Sequence, residues 1–339
     1  MKKVKVEDAV GMVLAHDLTK IVPGQFKGAA YKKGHIIQLE DIDKLKDMGK
    51  NHINVIELTD NDIHEDDAAI RIGKAISGYK VYNTQPSEGK VTVKAEERGL
   101  LKINVKALEL VNDIEFIIIA ALHNNTVVEK DQAVVGTRII PLTIEKERIE
   151  KIEEICKELG SIVSVKELKP LKAGIVVTGS EVYDGRIKDK FGPVLEEKVK
   201  HYGGLSIGVK YASDNSQMIE DTIKAFIEEG ADVILTSGGM SVDADDVTPT
   251  AIKNISDRVI TYGAPVLPGS MFMLAYKGDT PILGVPACGM YHKTTVLDLV
   301  LPRIMAGEVL NRKDITSLGH GGLCLNCPVC QYPVCPFGK

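Results

Sequence analysis

The sequence predicts an α/β protein: a three-layer domain with a parallel sheet, preceded by smaller α+β and mostly β domains. From residue 172 to about 306, short apolar runs alternate with longer segments of helical periodicity, which is typical of parallel strands covered by helices on both faces. Before residue 144, short β-like runs are more frequent than helical stretches. The length of 339 residues exceeds one ordinary hydrophobic core, so two or three domains are expected.

Changes of pattern along the chain predict four segments. We expect an α+β module at 1–58, a mostly β domain with a linking helix at 59–170, the α/β domain at 171–307 and a Cys-rich metal-binding tail at 308–339. The boundary near 170 is marked by a Lys-Pro pair, because proline and the residue before it disfavour regular structure.

Helical and alternating patterns distinguish the first two segments. In the first, Ile42, Leu45 and Met48 recur at helical spacing before a glycine, which is a natural helix end. In the second, residues 90–95 alternate apolar and polar side chains as a half-buried strand does. Residues 144–159 carry isoleucines at steps of three and four among Glu and Lys, which predicts the amphipathic linking helix.

The third segment repeats strand and helix in order. Predicted strands occupy 173–177, 205–209, 233–235, 271–275 and 281–283, and predicted helices occupy 193–202, 217–229, 248–254 and 289–305. Open sheets of this kind bind ligands outside the carboxyl ends of their strands. The loops that follow the strands are therefore the candidate site.

Composition excludes several classes of protein. The net charge of −5 and the pI of about 6.0 argue against a general nucleic-acid binder. The basic start of the chain is not followed by an apolar stretch, and no run approaches the length of a membrane span. We therefore expect a cytoplasmic protein that binds neither nucleic acid nor membrane.

The loop after the third predicted strand, 236–242, carries the strongest signal. Its glycines, Gly238 and Gly239, allow a close backbone approach to a ligand, and Ser237 and Ser241 offer hydroxyl groups. Asp246, in the acidic run that follows, could hold a divalent metal. The alternative is a tight strand-to-helix turn in which Ser and Asp act as caps.

Three further loops add residues of the same types. The first contains Thr178, Gly179, Ser180 and Glu181, followed by Asp189. The second contains Asp214, for which a helix-capping role is an equal alternative. The last contains Pro268, Gly269 and Ser270, together with the stretch Gly-Val-Pro-Ala-Cys-Gly at 284–289.

No single loop is specific, but the ordered combination of TGSE, the later Asp189, TSGGMSV with Asp246, PGS and GVPACG resembles a known domain. It resembles the molybdopterin-binding domain of the molybdopterin adenylyltransferases, the molybdopterin molybdenumtransferases and the gephyrin E-type enzymes, and it is closest to the molybdenumtransferases. The resemblance covers about 172–306. It implies that the TGSE and SGG-x-S loops hold the pterin and its phosphate.

Carried over position by position, the resemblance implies catalytic roles for Glu181, Asp214 and Asp246 around magnesium and phosphate, with Asp246 and Glu181 as metal ligands. Asp245 is the register alternative to Asp246. The implied ligand contacts are Thr178, Gly179, Ser180, Asp189, Ser237, Gly238, Gly239, Ser241, Pro268, Gly269 and Ser270.

The implied activity is the Mg²⁺-dependent insertion of molybdate into adenylylated molybdopterin with release of AMP. The partners are then adenylylated molybdopterin, molybdate and, as a candidate recipient, a molybdoenzyme; the family also implies a homo-oligomer. Two alternatives remain: a carrier or sensor that binds molybdopterin without turnover, and a related enzyme that processes a dinucleotide. Ser270 stands where the transferases carry the lysine of PGKP, which favours the carrier.

Four of the six cysteines lie in the last sixteen residues. Cys324, Cys327, Cys330 and Cys335 have spacings that can converge on one metal, and the chain has no secretion signal that would favour disulfides. The run C-x2-C-x2-C resembles a bacterial iron–sulfur motif, but its last gap is one residue longer. The sequence leaves Zn²⁺ and an iron–sulfur cluster open.

Overall fold

The chain forms two compact units in a computed structural model that describes residues 2–22, 26–56, 61–241, 243 and 246–339. The first unit comprises 1–96, 102–122 and 130–164, and the second comprises 97–101, 123–129 and 165–339. The four-segment division expected from the sequence stays a prediction. Each unit is described by itself below.

The beginning of the first unit is a small α+β arrangement. Its elements are β1 (Lys2–Lys5), β2 (Leu18–Val22), β3 (Phe26–Tyr31), α1 (Asp41–Asp47) and β4 (His52–Val55). β1 pairs antiparallel with β4, and β2 with β3. Leu14, Ile37 and Leu45 are fully buried in its core, so the predicted helix around Leu45 is present.

The rest of the chain before the α/β domain is richer in strands. Its elements are β5 (Asp62–His64), α2 (Glu65–Ile76), β6 (Val81–Asn83), β7 (Lys90–Ala95), β8 (Gly99–Ile103), α3 (Val105–Asn112), β9 (Ile117–Ala121), β10 (Val127–Val128), β11 (Ala133–Ile139), β12 (Thr143–Glu145), α4 (Lys146–Leu159) and β13 (Val163–Glu167). Strands β6, β7, β11 and β9 form an antiparallel sheet in that order. The predicted linking helix is α4, which buries Ile149 and Ile152.

The second unit is built on one six-stranded sheet. Its elements are β14 (Lys172–Thr178), α5 (Ser180–Tyr183), α6 (Phe191–His201), β15 (Leu205–Ala212), α7 (Ser216–Glu228), β16 (Val233–Ser237), α8 (Thr248–Ile255), β17 (Arg258–Tyr262), β18 (Met273–Lys277), β19 (Thr280–Val285), α9 (Val296–Met305) and α10 (Arg312–Thr316). The strand order is β15-β14-β16-β19-β18-β17. The first four strands in this order are parallel. β18 pairs antiparallel with β19, and β17 pairs antiparallel with β18.

Side chains of successive strand residues enter two separate cores, one on each face of the sheet. In β16, Ile234 packs with α7 and α8, whereas Leu235 packs with α6 and α9. Ile175 and Val176 in β14 divide in the same way, as expected from the period of two in a strand. The α/β fold class with three layers is therefore confirmed. Among the described helices, none is both long and apolar enough to cross a bilayer.

The structure corrects the predicted helix 289–305. A short 3-10 turn occupies Ala287–Met290, and α9 begins only after Thr295. Thr295 accepts a hydrogen bond from the Leu297 N–H, and the Asp298 carboxylate accepts one from the Thr295 N–H at 2.8 Å. This capping box fixes the start of the helix, so residues 291–294 form a loop.

The cysteine tail packs on the α/β domain. The Leu267 N–H donates to the Gly322 carbonyl and the Cys324 N–H donates to the Leu267 carbonyl, both at 2.8 Å. Near the end of the chain, Phe337 is only 3% exposed and lies in the core beside α9. The tail is thus held at both of its ends.

We expect Phe337→Ala to release the tail, because the substitution removes a buried aromatic ring at a cost of about 3 kcal/mol. Amide hydrogen exchange of peptides from 320–339 should accelerate about 100-fold, since protection there depends on the docked state. Val334→Ala is the control, because Val334 is 83% exposed. Equal exchange in both variants would contradict the anchoring role of Phe337.

Candidate ligand site at the carboxyl edge of the sheet

The parallel strands end at the same level of the sheet. Thr178 pairs with Ala212, Val177 with Ser237, and Ser237 with Val285. The start of β18 pairs with the end of β19, so the loop before β18 reaches this edge too. The structure therefore brings together the predicted loops 178–181, 211–215, 236–242, 265–270 and 284–289, of which residue 242 lies outside the described part of the chain.

The backbone of Gly238 lies directly against the end of β14. Gly238 has a φ of +92°, and a Cβ placed there would lie 2.1 Å from the carbonyl oxygen of Thr178. The Thr178 hydroxyl donates to the Ser237 carbonyl and lies 3.0 Å from the Thr248 hydroxyl. Thr178, Ser237 and Thr248 are buried. Only glycine fits at 238, because both the φ value and the contact exclude a side chain.

The Asp246 carboxylate lies beside Gly239. A Cβ at Gly239, where φ is +50°, would lie 3.6 Å from Asp246 Oδ1 and 2.9 Å from Thr248 Oγ1. Asp246 Oδ2 accepts a hydrogen bond from the Asp243 N–H at 3.0 Å. The carboxylate is thus fixed by the loop and faces the glycine turn. Asp245 lies outside the described residues.

Tyr262, in β17, is hydrogen-bonded to the SGG turn, a contact that the sequence did not predict. Its hydroxyl lies 2.9 Å from the Met240 carbonyl oxygen and 3.1 Å from that of Ser241, and donates to them. Burial raises the pKa of the Tyr262 phenol, and the negative charge of Asp246 raises it further. The phenol therefore stays protonated and able to donate near neutral pH.

Asp214 joins the first loop to the second. Its Oδ2 accepts a hydrogen bond from the Ser180 N–H at 2.8 Å, and its own N–H donates to Ser180 Oγ at 3.3 Å. The residue that caps α7 is Asn215, whose side chain accepts from the Met218 N–H. The capping alternative for Asp214 is therefore replaced by a bridging contact between loops.

Glu181 lies at the outer side of the first loop. It is exposed, and its carboxylate oxygens lie 3.0 and 3.1 Å from the position of a Cβ on Gly179. Gly179, with a φ of +135°, is buried and donates its N–H to the Ala212 carbonyl. The first loop thus places a carboxylate close to a glycine, as Asp246 is placed beside Gly239.

Asp189 is a helix cap. Its Oδ1 accepts hydrogen bonds from the N–H groups of Phe191 at 2.7 Å and Gly192 at 3.0 Å, at the beginning of α6. Its other oxygen lies 3.4 Å from the Tyr211 hydroxyl. The ligand contact implied for Asp189 stays a prediction.

The two predicted serine ligands differ in exposure. Ser237 is fully buried, and within the described part of the chain its hydroxyl has no hydrogen-bond partner. Ser241 is exposed. Ser241 is therefore open to solvent and Ser237 is enclosed. The ligand contacts implied for both serines stay predictions.

The loop with Pro268, Gly269 and Ser270 packs on the start of α9. Gly269 has a φ of +129°, and a Cβ there would lie 2.6 Å from Val296 Cγ1. The Val296 N–H lies 3.3 Å from the Pro268 carbonyl. Ser270 is exposed and Gly269 is buried, so the Ser270 side chain is open to solvent.

The carboxylates do not form a closed metal cage. In the described ranges, no three His, Cys, Asp or Glu side chains are grouped so that they could hold one metal ion. The expected role of Asp246, Glu181 and Asp214 around magnesium stays a prediction. Asp245, in the same acidic run, is not among the described residues.

The four tail cysteines line one cavity of about 420 Å³, together with residues 291–294. All are free thiols, and Cys330 Sγ lies 3.3 Å from the Thr294 hydroxyl. No residue of the SGG turn lines this cavity. The tail that forms it is paired through its backbone with Leu267, in the loop 265–270.

Two family models match this chain. Residues 174–306 match a family described as a probable molybdopterin binding domain, and residues 3–57 match a domain of unknown function. The first match supports the resemblance inferred from the loop motifs. A narrower likeness to the molybdenumtransferases stays a prediction.

Curated relatives align only in part. The CinA-like protein of Mycobacterium avium (strain 104) is 34% identical over 95 residues, which cover 28% of this chain and 22% of the relative. The CinA-like protein of Mycobacterium leprae (strain TN) is 36% identical over 87 residues, which cover 26% of this chain and 20% of the relative. The chain thus spans about a fifth of the length of these relatives.

Solved structures align with part of this chain. The molybdopterin biosynthesis enzyme MoaB from Thermus thermophilus aligns with a TM-score of 0.35 and 22% identity, over 41% of this chain and 98% of the other. The tungsten cofactor synthesizing protein MoaB from Pyrococcus furiosus aligns with a TM-score of 0.34 and 18% identity, over 41% and 97%.

Proposed function

We propose that the α/β domain binds a phosphorylated pterin of the molybdopterin type at the carboxyl edge of its sheet, and that the protein acts in assembly of the molybdenum cofactor. The observation that carries the proposal is the glycine turn, in which Gly238 lies in close contact with Thr178 and the Asp246 carboxylate lies beside Gly239. The family match of 174–306 supports the class of ligand.

The glycine turn suits a phosphate group. Gly238 and Gly239 have φ values of +92° and +50°, and successive N–H groups in such a turn can converge on an anion. The exposed Ser241 hydroxyl adds a donor. Tyr262 holds the turn by its bond to the Met240 carbonyl, so the donors are positioned before the ligand arrives.

Magnesium fits the donors present at this edge. Mg²⁺ is usually held by one or two carboxylates together with substrate phosphates and waters, rather than by a cage made only of protein. Asp246 supplies one such carboxylate, and Glu181 is the second candidate. Bound there, Mg²⁺ would neutralise charge on phosphoryl oxygens.

The reaction that we propose is Mg²⁺-dependent insertion of molybdate into adenylylated molybdopterin with release of AMP. The residues of the chain orient the substrate: the SGG turn binds the phosphate, and Asp214 keeps the first two loops in register through Ser180. A carrier or sensor without turnover is the second candidate. Ser270 favours it, because this exposed position carries no positive charge to attract molybdate.

The test is a turnover assay with the purified full chain. Adenylylated molybdopterin, molybdate and Mg²⁺ should give AMP, and removal of Mg²⁺ with a chelator should slow release at least about 100-fold. Pterin fluorescence of the same samples reports retention of the ligand. Retention without AMP would favour the carrier, whereas neither retention nor AMP would contradict both candidates. Turnover of a dinucleotide with no affinity for pterin would support the related nucleotide enzyme.

A further inference from the structure

We propose that Cys324, Cys327, Cys330 and Cys335 bind an iron–sulfur cluster. The proposal rests on the geometry of the tail alone, so it does not depend on the function proposed for the sheet edge. Neither matched family segment reaches the tail, since they end at residues 57 and 306.

All four tail cysteines line one space. Within 12 residues of chain, they line a single cavity of about 420 Å³, and none of them is engaged in a disulfide. Four thiolates are the ligand set of a structural zinc site and of an iron–sulfur cluster. The question is therefore which of the two fits the spacing of the thiols.

The spacing favours a cluster over a single ion. Tetrahedral zinc binds each sulfur at about 2.3 Å, which brings all four thiolates within about 4 Å of one another. In the part of the chain that the structure describes, no group of three or more His, Cys, Asp or Glu side chains is placed to hold a single metal ion. In a cluster, four cysteines are shared among two or four irons, so no three thiolates need to meet at one atom.

The surroundings of the thiols also suit a cluster. The Asn326 N–H donates to Cys324 Sγ at 3.5 Å, and hydrogen bonds to sulfur are among the contacts that tune such centres. Phe337 and Tyr332 line the same cavity, and their rings pack edge to face. Apolar walls of this kind shield a cluster from water.

The cavity is built on well-packed elements. Cys324 is fixed by its backbone bond to Leu267, and Cys330 contacts Thr294, the buried residue before the cap of α9. Cys335 lies two residues before the buried Phe337. Ligands held at several points by the core of a domain are pre-organised for a centre of defined size.

The test is metal and sulfide analysis of the full chain, expressed in iron-supplied cells and purified without oxygen. We expect iron and acid-labile sulfide in equal amounts, with a broad visible absorption that bleaches on reduction. Cys327→Ser is the informative variant, because Cys327 is exposed and the substitution leaves packing intact. It should lower iron content at least about tenfold.

Cys288→Ser is the matched control. Cys288 is half-buried in the same domain but outside the tail cavity, so iron content should be unchanged. Circular dichroism of both variants shows whether they fold. Stoichiometric zinc without sulfide would overturn the proposal in favour of a zinc site. Purified protein without metal, in which the four tail thiols react with a thiol reagent, would overturn it altogether. Equal iron loss in both variants would also contradict it.

Discussion

Asp246→Asn is expected to lower AMP release about 100-fold while retention of the pterin changes little. Asparagine keeps an oxygen that can accept the Asp243 N–H, so the loop should hold its conformation. What the variant lacks is the negative charge beside Gly239, and a neutral amide is a poor ligand for Mg²⁺. The loss corresponds to about 3 kcal/mol of transition-state stabilisation.

The control for Asp246→Asn is Asp257→Asn, measured in the same assay. Asp257 precedes β17 at the opposite edge of the sheet, where it forms an ion pair with Lys277 at the surface. We expect Asp257→Asn to release AMP at the rate of the wild type. If Asp246→Asn also keeps the full rate, Asp246 has no catalytic role. Asp245→Asn then tests the alternative register.

The layered architecture was predictable because burial on both faces of a sheet leaves a strong periodic signal. Continuous apolar runs such as Val233–Leu235 predict buried strands, and the segments of helical periodicity between them predict the helices on the two faces. The direction of β18 left no such signal, because an apolar run is the same in either direction. Only the short Gly278-Asp279 turn before β19 indicates an antiparallel pair.

The candidate site was predictable where its chemistry lies in the loops themselves. Gly238 and Asp214 closely follow strand ends, and the structure places Asp246 beside Gly239 at the same edge. Thr248 and Tyr262 act through contacts with residues far away in sequence, and an isolated threonine or tyrosine gives no periodic signal. The structure shows that Asp189 caps α6. This role had a local signal in the sequence, because Asp189 lies two residues before Phe191, where the helix begins.

The second large effect is expected for Gly238→Ala. Alanine at a φ of +92° carries backbone strain of about 1–2 kcal/mol. In addition, its Cβ would lie 2.1 Å from the Thr178 carbonyl oxygen, in a contact with backbone that no rotamer change relieves. The turn must therefore shift away from β14. We expect destabilisation of about 3 kcal/mol or more and loss of pterin retention.

Gly230→Ala separates strain from contact, because Gly230 ends α7 with a φ of +84° and no described atom lies within 4 Å of a Cβ there. The Gly230→Ala variant should lose only the stability that corresponds to the backbone strain, a fall in melting temperature of about 4 °C. It should still bind the pterin. Gly238→Ala should melt about 10 °C below the wild type and bind at least about 100-fold more weakly. Equal behaviour of the two variants in thermal melting and pterin fluorescence would mean that the approach of Gly238 to Thr178 does not shape the ligand site. A selective loss in Gly238→Ala would instead tie ligand binding to the close approach of Gly238 to Thr178.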